Sequence, residues 1–268
     1  KFRSILYSSP TAMQLYRLEA DDSLVLTGAN PAADHILGIS HEKNIGWKIE
    51  DAFPGLVNTA FIEKCKQVAR GELGSQSMEL EYQDERFDGI FDVHIFQTSP
   101  GLISIDFLDI SERRAVERIG QARLRLVEYS STHSLEELLR ATLDEAEALT
   151  GSQIGFYHTL ESDQSTLVLQ TWSTRTVEEF CVANGEGSHF PVGEAGVWMD
   201  CIRERGPVIH NDYESLPHRK GLPEGHAVLK RELVVPVMRE DAIVSILGVG
   251  NKPRDYTQRD VAAVSQLA

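Results

Sequence analysis

The residues best suited to chemistry in this chain are three cysteines and one histidine. Cys65, Cys181 and Cys201 are its only cysteines, and no two of them form a Cys-x-x-Cys pair. An exposed thiolate is a nucleophile, so Cys181 or Cys201 could attach a haem covalently or sense an oxidant. His226 titrates near neutral pH, and it could bond an anionic ligand or ligate a metal. The odd number of cysteines favours a reduced, cytoplasmic setting.

The chain lacks the sequence motifs of complete catalytic sites. It contains no Gly-x-x-x-x-Gly-Lys phosphate loop, no His-Glu-x-x-His, no Gly-x-Ser-x-Gly and no kinase signature. Each of these motifs holds reactive groups at the fixed spacing that its reaction requires. We therefore predict no catalytic residues in this chain, and we assign no metal ligands.

Length, composition and charge limit the class of protein. The 268 residues suffice for about two domains, and 41% hydrophobic with 25% charged residues is typical of globular proteins. The net charge of −15 disfavours binding to nucleic acids or anionic membranes, which are themselves negative. No apolar run approaches the ~20 residues of a membrane span, so we expect no direct membrane contact and a cytoplasmic location. Because Lys1 is not a start methionine, we expect a fragment whose full-length protein could be membrane-anchored upstream.

Two groups of elements must position these residues, and the break between them lies at residues 109–114. Ile103, Ile105 and Phe107 alternate with polar residues, which is the period of a half-buried antiparallel strand. A charged, helical pattern starts at Ser111. Before the break, the sequence predicts strands at 13–18, 24–27, 77–83, 89–98 and 102–108 and helices at 30–37 and 61–69.

After the break, helical patterns precede a series of strand patterns. The first predicted helix covers 111–128, and its apolar stripe is formed by Val116, Ile119, Leu126 and Val127. Ser134 and Glu137 have the spacing of a capping box, which predicts the start of a second helix. The remaining predicted elements are strands at 154–160 and 167–172, a helix capped by Thr176 and Glu179, a helix at 198–205, strands at 208–210, 233–238 and 242–249, and a terminal helix capped by Thr257 and Asp260.

The first half of the chain, from about Ser9 to Arg114, resembles a PAS domain. The resemblance rests on Asn30-Pro31-Ala32-Ala33 with Leu37-Gly38, on the order of strands and helices, and on Asp109-Ile110-Ser111-Glu112-Arg113. In PAS domains, the acidic residue that ends the last strand typically contacts the basic residue that opens the exit helix. The resemblance therefore implies signal transmission through an ion pair of Asp109 and Arg113, which would set the angle at which the helix leaves.

The second half, from about Ser134 to Ala268, resembles a GAF domain. It carries Asn211-Asp212-Tyr213, Gly221-Leu222-Pro223-Glu224-Gly225-His226 and Leu247-Gly248-Val249-Gly250-Asn251-Lys252, followed by Tyr256 and Asp260. This form is similar to the GAF domains of prokaryotic sensor histidine kinases, some of which bind haem through a cysteine. Tyr256 and Val261 depart from the signature of cyclic-nucleotide GAF domains, so nucleotide binding is not implied.

The GAF resemblance implies a small-ligand pocket. A small ligand requires an apolar cavity with a few polar groups. Haem is the one cofactor that we consider possible in this pocket. The same aromatic side chains could instead be ordinary core residues. The pocket candidates are Trp172, Phe180, Cys181, Phe190, Trp198, Tyr213 and His226.

Together, the resemblances imply an α+β chain of two α/β sensory domains, each a central antiparallel sheet with flanking helices. We expect a PAS-like domain at 1–110, a helical signalling linker at 111–133 and a GAF-like domain at 134–268, whose last helix leads to an output domain outside this chain. We also expect a homodimer formed through the linker and terminal helices. A response regulator would be reached through the output domain.

The expected function is that of a sensory fragment of a signal-transduction protein, a two-component sensor histidine kinase. It would detect a small ligand or a redox or gas signal and transmit it through dimeric helices, and the full-length protein would be a protein-histidine phosphotransferase. One alternative is the regulatory region of a diguanylate cyclase, a phosphodiesterase or a transcription activator. The other is a ligand-free dimerisation module.

Overall fold

A computed structural model describes residues 7–57, 59–84, 86–161, 166–180, 189–191, 197–217 and 228–268. The chain divides into two compact units, Lys1–Arg114 and Ala115–Ala268. Among the described residues, every helix is too short or too polar to cross a lipid bilayer.

The first unit is built on an antiparallel sheet with the strand order β2-β1-β5-β4-β3 in its described residues. This order pairs the first strand with the last, so the chain leaves the unit from the middle of the sheet. The strands are β1 (Ala12–Leu18), β2 (Leu24–Ala29), β3 (Gln76–Gln83), β4 (Asp88–Ser99) and β5 (Leu102–Asp109). The helices between β2 and β3 are α1 (Pro31–Leu37), α2 (Ile49–Ala52) and α3 (Ala60–Arg70).

Local sequence signals explain where α1 begins and ends. Asn30 caps the helix because its Oδ1 accepts a hydrogen bond from the N–H of Ala33 at 3.0 Å. The same amide accepts from the N–H of Met13 at 3.0 Å, which ties the helix to β1. Gly38 ends the helix with a φ of 63°, a left-handed conformation that a side chain would strain.

The core of the first unit is one continuous cluster between the sheet and the helices. Ile103, Ile105 and Phe107 all point into it, as the alternation along β5 predicts. Tyr16 and Leu26 from the neighbouring strands are also fully buried. Each such side chain contributes roughly 1.5–3 kcal/mol relative to an exposed position.

The second unit is built on an antiparallel sheet with the order β8-β7-β6-β11-β10-β9 in its described residues. Its strands are β6 (Ile154–Leu160), β7 (Thr166–Trp172), β8 (His189–Pro191), β9 (Val208–His210), β10 (Glu232–Arg239) and β11 (Ala242–Gly250). Its helices are α4 (Ser111–Ser130), which begins in the first unit, α5 (Leu135–Thr150), α6 (Asp200–Glu204) and α7 (Gln258–Ser265). The predicted capping box of Ser134 and Glu137 starts α5, and Gly151 ends it with a φ of 73°.

Apolar residues cover both faces of this sheet. On one face, Leu233 and Val235 of β10 pack with residues of α5 and α7, among them Leu143 and Val264. On the other face, the cluster contains Phe156, Leu160, Leu167, Met199, Cys201, Val208, Val234, Ile243 and Ile246. We call this second side the Phe156 face.

Gly248 allows the tight packing of the Phe156 face. It lies opposite Phe156 in the pairing of β11 with β6. A Cβ atom on Gly248 would lie only 2.0 Å from Cζ of Phe156, so the ring occupies the space that any side chain at this position would need.

The apolar stripe predicted along α4 is wrong as a single stripe. Ile119 is 5% exposed, whereas Val116 is 62% and Val127 is 68% exposed. Ala122 is buried with Ile119, and Leu124, which is 65% exposed, belongs with Val116 and Val127. At about 100° per residue, these positions fall on two different faces of the helix. The prediction from the sequence had treated them as one face.

The predicted cap of Thr176 and Glu179 is also wrong. Ser173 caps this short helical segment, because its Oγ accepts from the N–H of Thr176 at 3.2 Å. Thr176 is buried, and its hydroxyl accepts from the N–H of Gly155 in β6 at 2.9 Å. Residues Thr176–Phe180 form a π-helical turn, and Glu179 pairs with Arg175 at 3.0 Å.

Candidate functional site

The first unit has a partly open apolar cavity of about 50 Å³, lined by residues of its sheet and helices. Pockets for drug-sized ligands measure ~300–1,000 Å³, so a flavin or a haem does not fit this volume. The lining residues are Gln14, Leu37, Ile49, Phe53, Leu56, Phe61, Leu80, Tyr82, Phe87, Phe91, Val93, Ile105 and Phe107.

A chain of polar side chains runs from the surface to this cavity. Asp34 lies 2.5 Å from Nδ1 of His41, and Nε2 of His41 lies 2.7 Å from Nε2 of Gln14. Because the Gln14 nitrogen can only donate, His41 accepts at Nε2 and keeps its proton at Nδ1 for the carboxylate of Asp34. The Tyr16 hydroxyl donates to Oε1 of Gln14 at 3.1 Å, so these buried groups complete one another's hydrogen bonds.

The exit corner after β5 contains the predicted transmission residues. Oδ1 of Asp109 accepts a hydrogen bond from the N–H of Ser111 at 2.8 Å, which caps the start of α4. Oγ of Ser111 accepts from the N–H of Ile90 in β4 at 2.9 Å, which ties the helix start to the sheet. The ion pair of Asp109 with Arg113 stays a prediction.

A further anchor at this corner was not predicted from the sequence. The guanidinium of Arg114 binds the carboxylate of Glu79, with Nε of Arg114 at 2.9 Å from Oε2. The two residues lie 35 positions apart and meet only because α4 starts beside β3, so no local pattern could reveal the pair.

The pocket candidates of the second unit fall into separate groups. Phe180 and Tyr213 lie in one apolar cluster, together with Ile154, Val197 and Leu229. Trp172 packs against the cluster of the Phe156 face. Its ring is edge-on to the ring of Phe156, with 6.2 Å between the ring centroids. The structure therefore brings Phe180 and Tyr213 together and places Trp172 apart from them.

Four pocket candidates are described only in part or not at all. Phe190 lies in β8 and Trp198 in the 3-10 helix Val197–Met199, and only their backbones are described. Cys181 and His226 lie outside the described residues.

The two cysteines that the structure describes do not fit a reactive role. Cys65 and Cys201 are fully buried. Burial raises the pKa of each thiol to about 12, so both are protonated at neutral pH. Cys201 therefore lacks the exposed thiolate that covalent attachment of haem would require.

A buried charged cluster lies on the Phe156 face and was missed by the sequence analysis. Glu232 is fully buried at the start of β10, directly opposite His210 of β9. Oε1 of Glu232 lies 3.0 Å from Nδ1 of His210, and Oδ2 of Asp200 in α6 lies 3.3 Å from Nε2. Asp200 also pairs with Arg203 at 2.9 Å. The cluster thus links one helix to two strands.

The titration of this cluster reflects burial and pairing. Desolvation raises the pKa of Glu232, and the hydrogen bond from His210 opposes that rise. The hydrogen bond to Glu232 raises the pKa of His210, which favours its charged form at neutral pH. Among the described residues, Oε2 of Glu232 has no hydrogen-bond partner, although it is buried.

Two further ionisable groups are buried in the second unit. His158 lies beside Phe156, and burial lowers the pKa of His158 to about 3, so its ring is neutral. Glu147 of α5 binds the Ser173 hydroxyl, and burial raises the pKa of Glu147 to about 7. The sequence offers little signal for Glu147, because it lies within an otherwise ordinary amphipathic helix pattern.

Comparison with known proteins gives a family and a relative. The model of the GAF domain family matches residues 132–268, about half of the chain. A curated relative, the "Methyl sulfide methyltransferase-associated sensor" of Methanosarcina acetivorans, is 30% identical over 271 residues, covering 95% of this chain and 26% of the relative. The chain thus spans about a quarter of that relative's length.

The solved structures to which the chain is similar include a GAF domain and a chromophore-binding domain. The GAF domain of a phosphoenolpyruvate-protein phosphotransferase from Coxiella burnetii is 14% identical, with a TM-score of 0.49, over 57% of this chain and 87% of that one. The chromophore-binding domain of the Stigmatella aurantiaca bacteriophytochrome is 16% identical, with a TM-score of 0.42, over 96% of this chain and 91% of that one.

Proposed function

This chain belongs to the GAF domain family through residues 132–268, and we propose that it is the sensory region of a two-component sensor histidine kinase. Its relative in Methanosarcina acetivorans is itself named as a sensor. In this proposal the second unit receives the signal, and the kinase chemistry lies in an output domain outside these residues.

The first unit acts in this proposal as a PAS-like domain. Its two strands, three helices and three strands follow the order that the sequence resemblance implies. Its small cavity and its completed polar chain favour a role in packing and transmission, and the second unit is the better candidate for ligand binding.

The observation that carries the proposal is the course of helix α4. It runs without a break from Ser111 to Ser130, across the boundary between the units at Arg114 and Ala115. Its start is held by Ser111 on β4 and by Arg114 on Glu79 of β3. In this proposal, α4 is the element that carries a change in one unit to the other.

We also propose that the chain forms a homodimer through helix α4. Val116, Leu124 and Val127 expose most of their surface along one face of α4, and Gly120 lies on the same face between them. Burying such a stripe against its copy in a second chain is the usual way to remove it from water. Sedimentation of the chain measures this directly, and a dimer is the expected result.

The test uses the full-length protein, incubated with labelled ATP. We expect phosphate on a histidine, and we expect Glu79→Gln to change the rate of labelling several-fold, because Arg114 loses its charged partner at the start of α4. Glu81→Gln is the matched control, since Glu81 is exposed two residues further along the same strand.

Each outcome of this experiment decides one part of the proposal. Absence of labelled histidine would overturn the kinase assignment and favour a cyclase, a phosphodiesterase or a transcription activator. Equal labelling in Glu79→Gln, Glu81→Gln and the unmodified protein would overturn the role of α4. A Soret band after reconstitution with haem, lost on Cys181→Ala, would assign the signal to haem.

A further inference from the structure

Glu232 occupies an unusual position for a carboxylate. Along β10, Leu233 and Val235 pack toward α5 and α7, so Glu232 and Val234 point to the Phe156 face. Glu232 is fully buried there. Carboxylates are almost never fully buried unless they are paired, so each of its two oxygens requires a partner.

The charged groups around Glu232 are mostly paired with one another. Both ring nitrogens of His210 lie next to carboxylates, at 3.0 Å from Glu232 and 3.3 Å from Asp200, so a doubly protonated ring donates to both. Asp200 also pairs with Arg203, and Glu204 is a third carboxylate that acts on His210. The cluster has no need of a further anion, but Oε2 of Glu232 still lacks a donor within the described residues.

The strand register connects this oxygen with the aromatic candidates. Glu232 pairs with Gly250 of β11, and Gly250 pairs with Ile154 of β6, so the three residues form one row across the sheet. Ile154 belongs to the cluster of Phe180 and Tyr213. Two strand spacings separate Glu232 from Ile154, about 10 Å.

The middle of this row carries no side chain of its own. A Cβ atom on Gly250 would meet the side chain of Leu229 at 3.0 Å, so Leu229 leans over the glycine between the acid and the aromatic cluster. A flexible leucine at this point is easier to displace than the backbone or a ring. The row therefore offers an acceptor at one end and an apolar surface at the other.

Buried polar atoms without a partner are rare in folded proteins, and each calls for an explanation. From the proposed sensory function of this unit, we infer that Oε2 of Glu232 is the polar anchor of its ligand. The ligand class is a small, mostly apolar molecule with one N–H or O–H donor. The donor bonds to Glu232, and the apolar body lies against the cluster of Phe180 and Tyr213. Anions are excluded, because the carboxylate would repel them.

The test compares two probes that differ by a single donor. Indole is an apolar bicycle with one N–H, and 1-methylindole has the same body without it. We expect indole to bind the unmodified chain about tenfold to hundredfold more tightly, because hydrogen bonds to charged groups are the strong ones. Calorimetric titration measures both affinities.

Glu232→Gln sharpens this comparison. His210 still finds a carbonyl oxygen, but the amide NH₂ now stands where Oε2 was, so a donor meets a donor. We expect the ratio of the two affinities to fall to about one. Asp200→Asn is the matched control, since it changes the other partner of His210 and leaves Glu232 in place; its ratio should stay as in the unmodified chain.

Three results would overturn the inference. A ratio near one in the unmodified chain would mean that a water molecule satisfies Oε2, and this result does not depend on whether Glu232→Gln folds. An unchanged ratio in Glu232→Gln would place the donor elsewhere. Failure of both probes to bind would also reject it, and the proposed sensor would survive that failure if Glu79→Gln still altered phosphorylation.

Discussion

The pair of Gln14 and His41 in the first unit and the pair of His210 and Glu232 in the second are both buried, but they are completed differently. In the first, Asp34 and Tyr16 bond the two outer ends, so each buried side chain of the network is hydrogen-bonded. In the second, one oxygen of Glu232 remains without a described partner. A fully satisfied polar network makes a core rigid, whereas an unsatisfied buried polar atom calls for an explanation such as a bound molecule.

The apolar cores of the two units also differ in how continuous they are. The first unit has one continuous apolar cluster, and the second has three among its described residues. The buried groups with shifted pKa values also differ in kind: they include the Tyr16 hydroxyl and the Cys65 thiol in the first unit, and His158 and Glu147 in the second. These differences agree with the proposal that the second unit receives the signal, and the following substitutions test whether the two units are stabilised separately.

The largest effect is expected for Gly248→Ala. The new Cβ would overlap the Phe156 ring at 2.0 Å, and the ring cannot retreat within a packed cluster. We expect a loss of about 3 kcal/mol or more in the free energy of unfolding of the second unit. Hydrogen exchange, read separately in peptides from each unit, should show the loss beyond Arg114 and little change before it.

Gly206→Ala, also in the second unit, is the control for this substitution. A Cβ placed there would meet only the carbonyl oxygen of Glu204 at 3.9 Å, an ordinary van der Waals contact, so we expect a change within about 0.5 kcal/mol. A large loss of stability in Gly206→Ala, or protection lost equally in both units on Gly248→Ala, would contradict the division of the chain into separately stabilised halves.

A smaller effect is expected for Gln14→Leu in the first unit. The substitution leaves the Tyr16 hydroxyl and Nε2 of His41 buried without their partner. We expect the first unit to lose roughly 2 kcal/mol, because each of the two unsatisfied groups costs about 1 kcal/mol even at the low end of the usual range. Denaturant unfolding measures the loss, and Tyr16→Phe, which removes only one end of the chain, should cost less.

If Gln14→Leu raised the stability of the first unit, the hydrogen bonds of Gln14 with His41 and Tyr16 would not be needed for folding. The comparison with the unsatisfied oxygen of Glu232 would then no longer hold.

The smallest effect is expected for Glu147→Gln, and it depends on pH. The pKa of Glu147 is raised to about 7 in the folded chain, from about 4.5 when unfolded, so the folded state holds a proton that the unfolded state has lost. The second unit therefore loses stability as pH rises from 4.5 to 7. Glu147→Gln should remove this dependence on pH. We expect the free energy of unfolding of the variant, relative to that of the unmodified chain, to be higher at pH 8 than at pH 4 by about 1 to 2 kcal/mol after allowance for solvent screening.

Denaturant unfolding at several pH values measures this difference. Glu136→Gln on the exposed side of α5 is the control and should show none of it. A gain for Glu147→Gln at pH 4 as large as at pH 8 would mean that the carboxyl is not protonated in the folded state.

The local features of the fold could be predicted from the sequence, because short-range chemistry determines them. Asn30 and Gly38 bound α1, and Ser134 with Gly151 bounds α5, as the capping patterns indicate. The failures occurred where a distant partner competes. Thr176 was predicted as a cap, but its hydroxyl is used by the backbone of Gly155, which is 21 positions away.

The candidate site was less accessible to sequence reasoning. The aromatic candidates Phe180 and Tyr213 do meet in one cluster, but Glu232 and His210 were not recognised. They lie 22 positions apart and become neighbours through the register of β9 on β10, which depends on the packing of both sheet faces. The sequence contains one signal for this site: Glu232 is the first residue of an apolar strand, where burying a carboxylate costs free energy.

The anchoring of α4 on both sides of residues 115–118 has a consequence for chimaeras. Arg114 holds it to β3, and the buried Ile119 and the paired Arg125 and Glu145 follow soon after, which leaves residues 115–118 between them. Adding or removing one residue in that single turn rotates everything beyond it by about 100°. A seven-residue insertion returns it to within ~20°. We therefore expect splices within this turn to be sensitive to the phase of the helix as well as to the length of the linker.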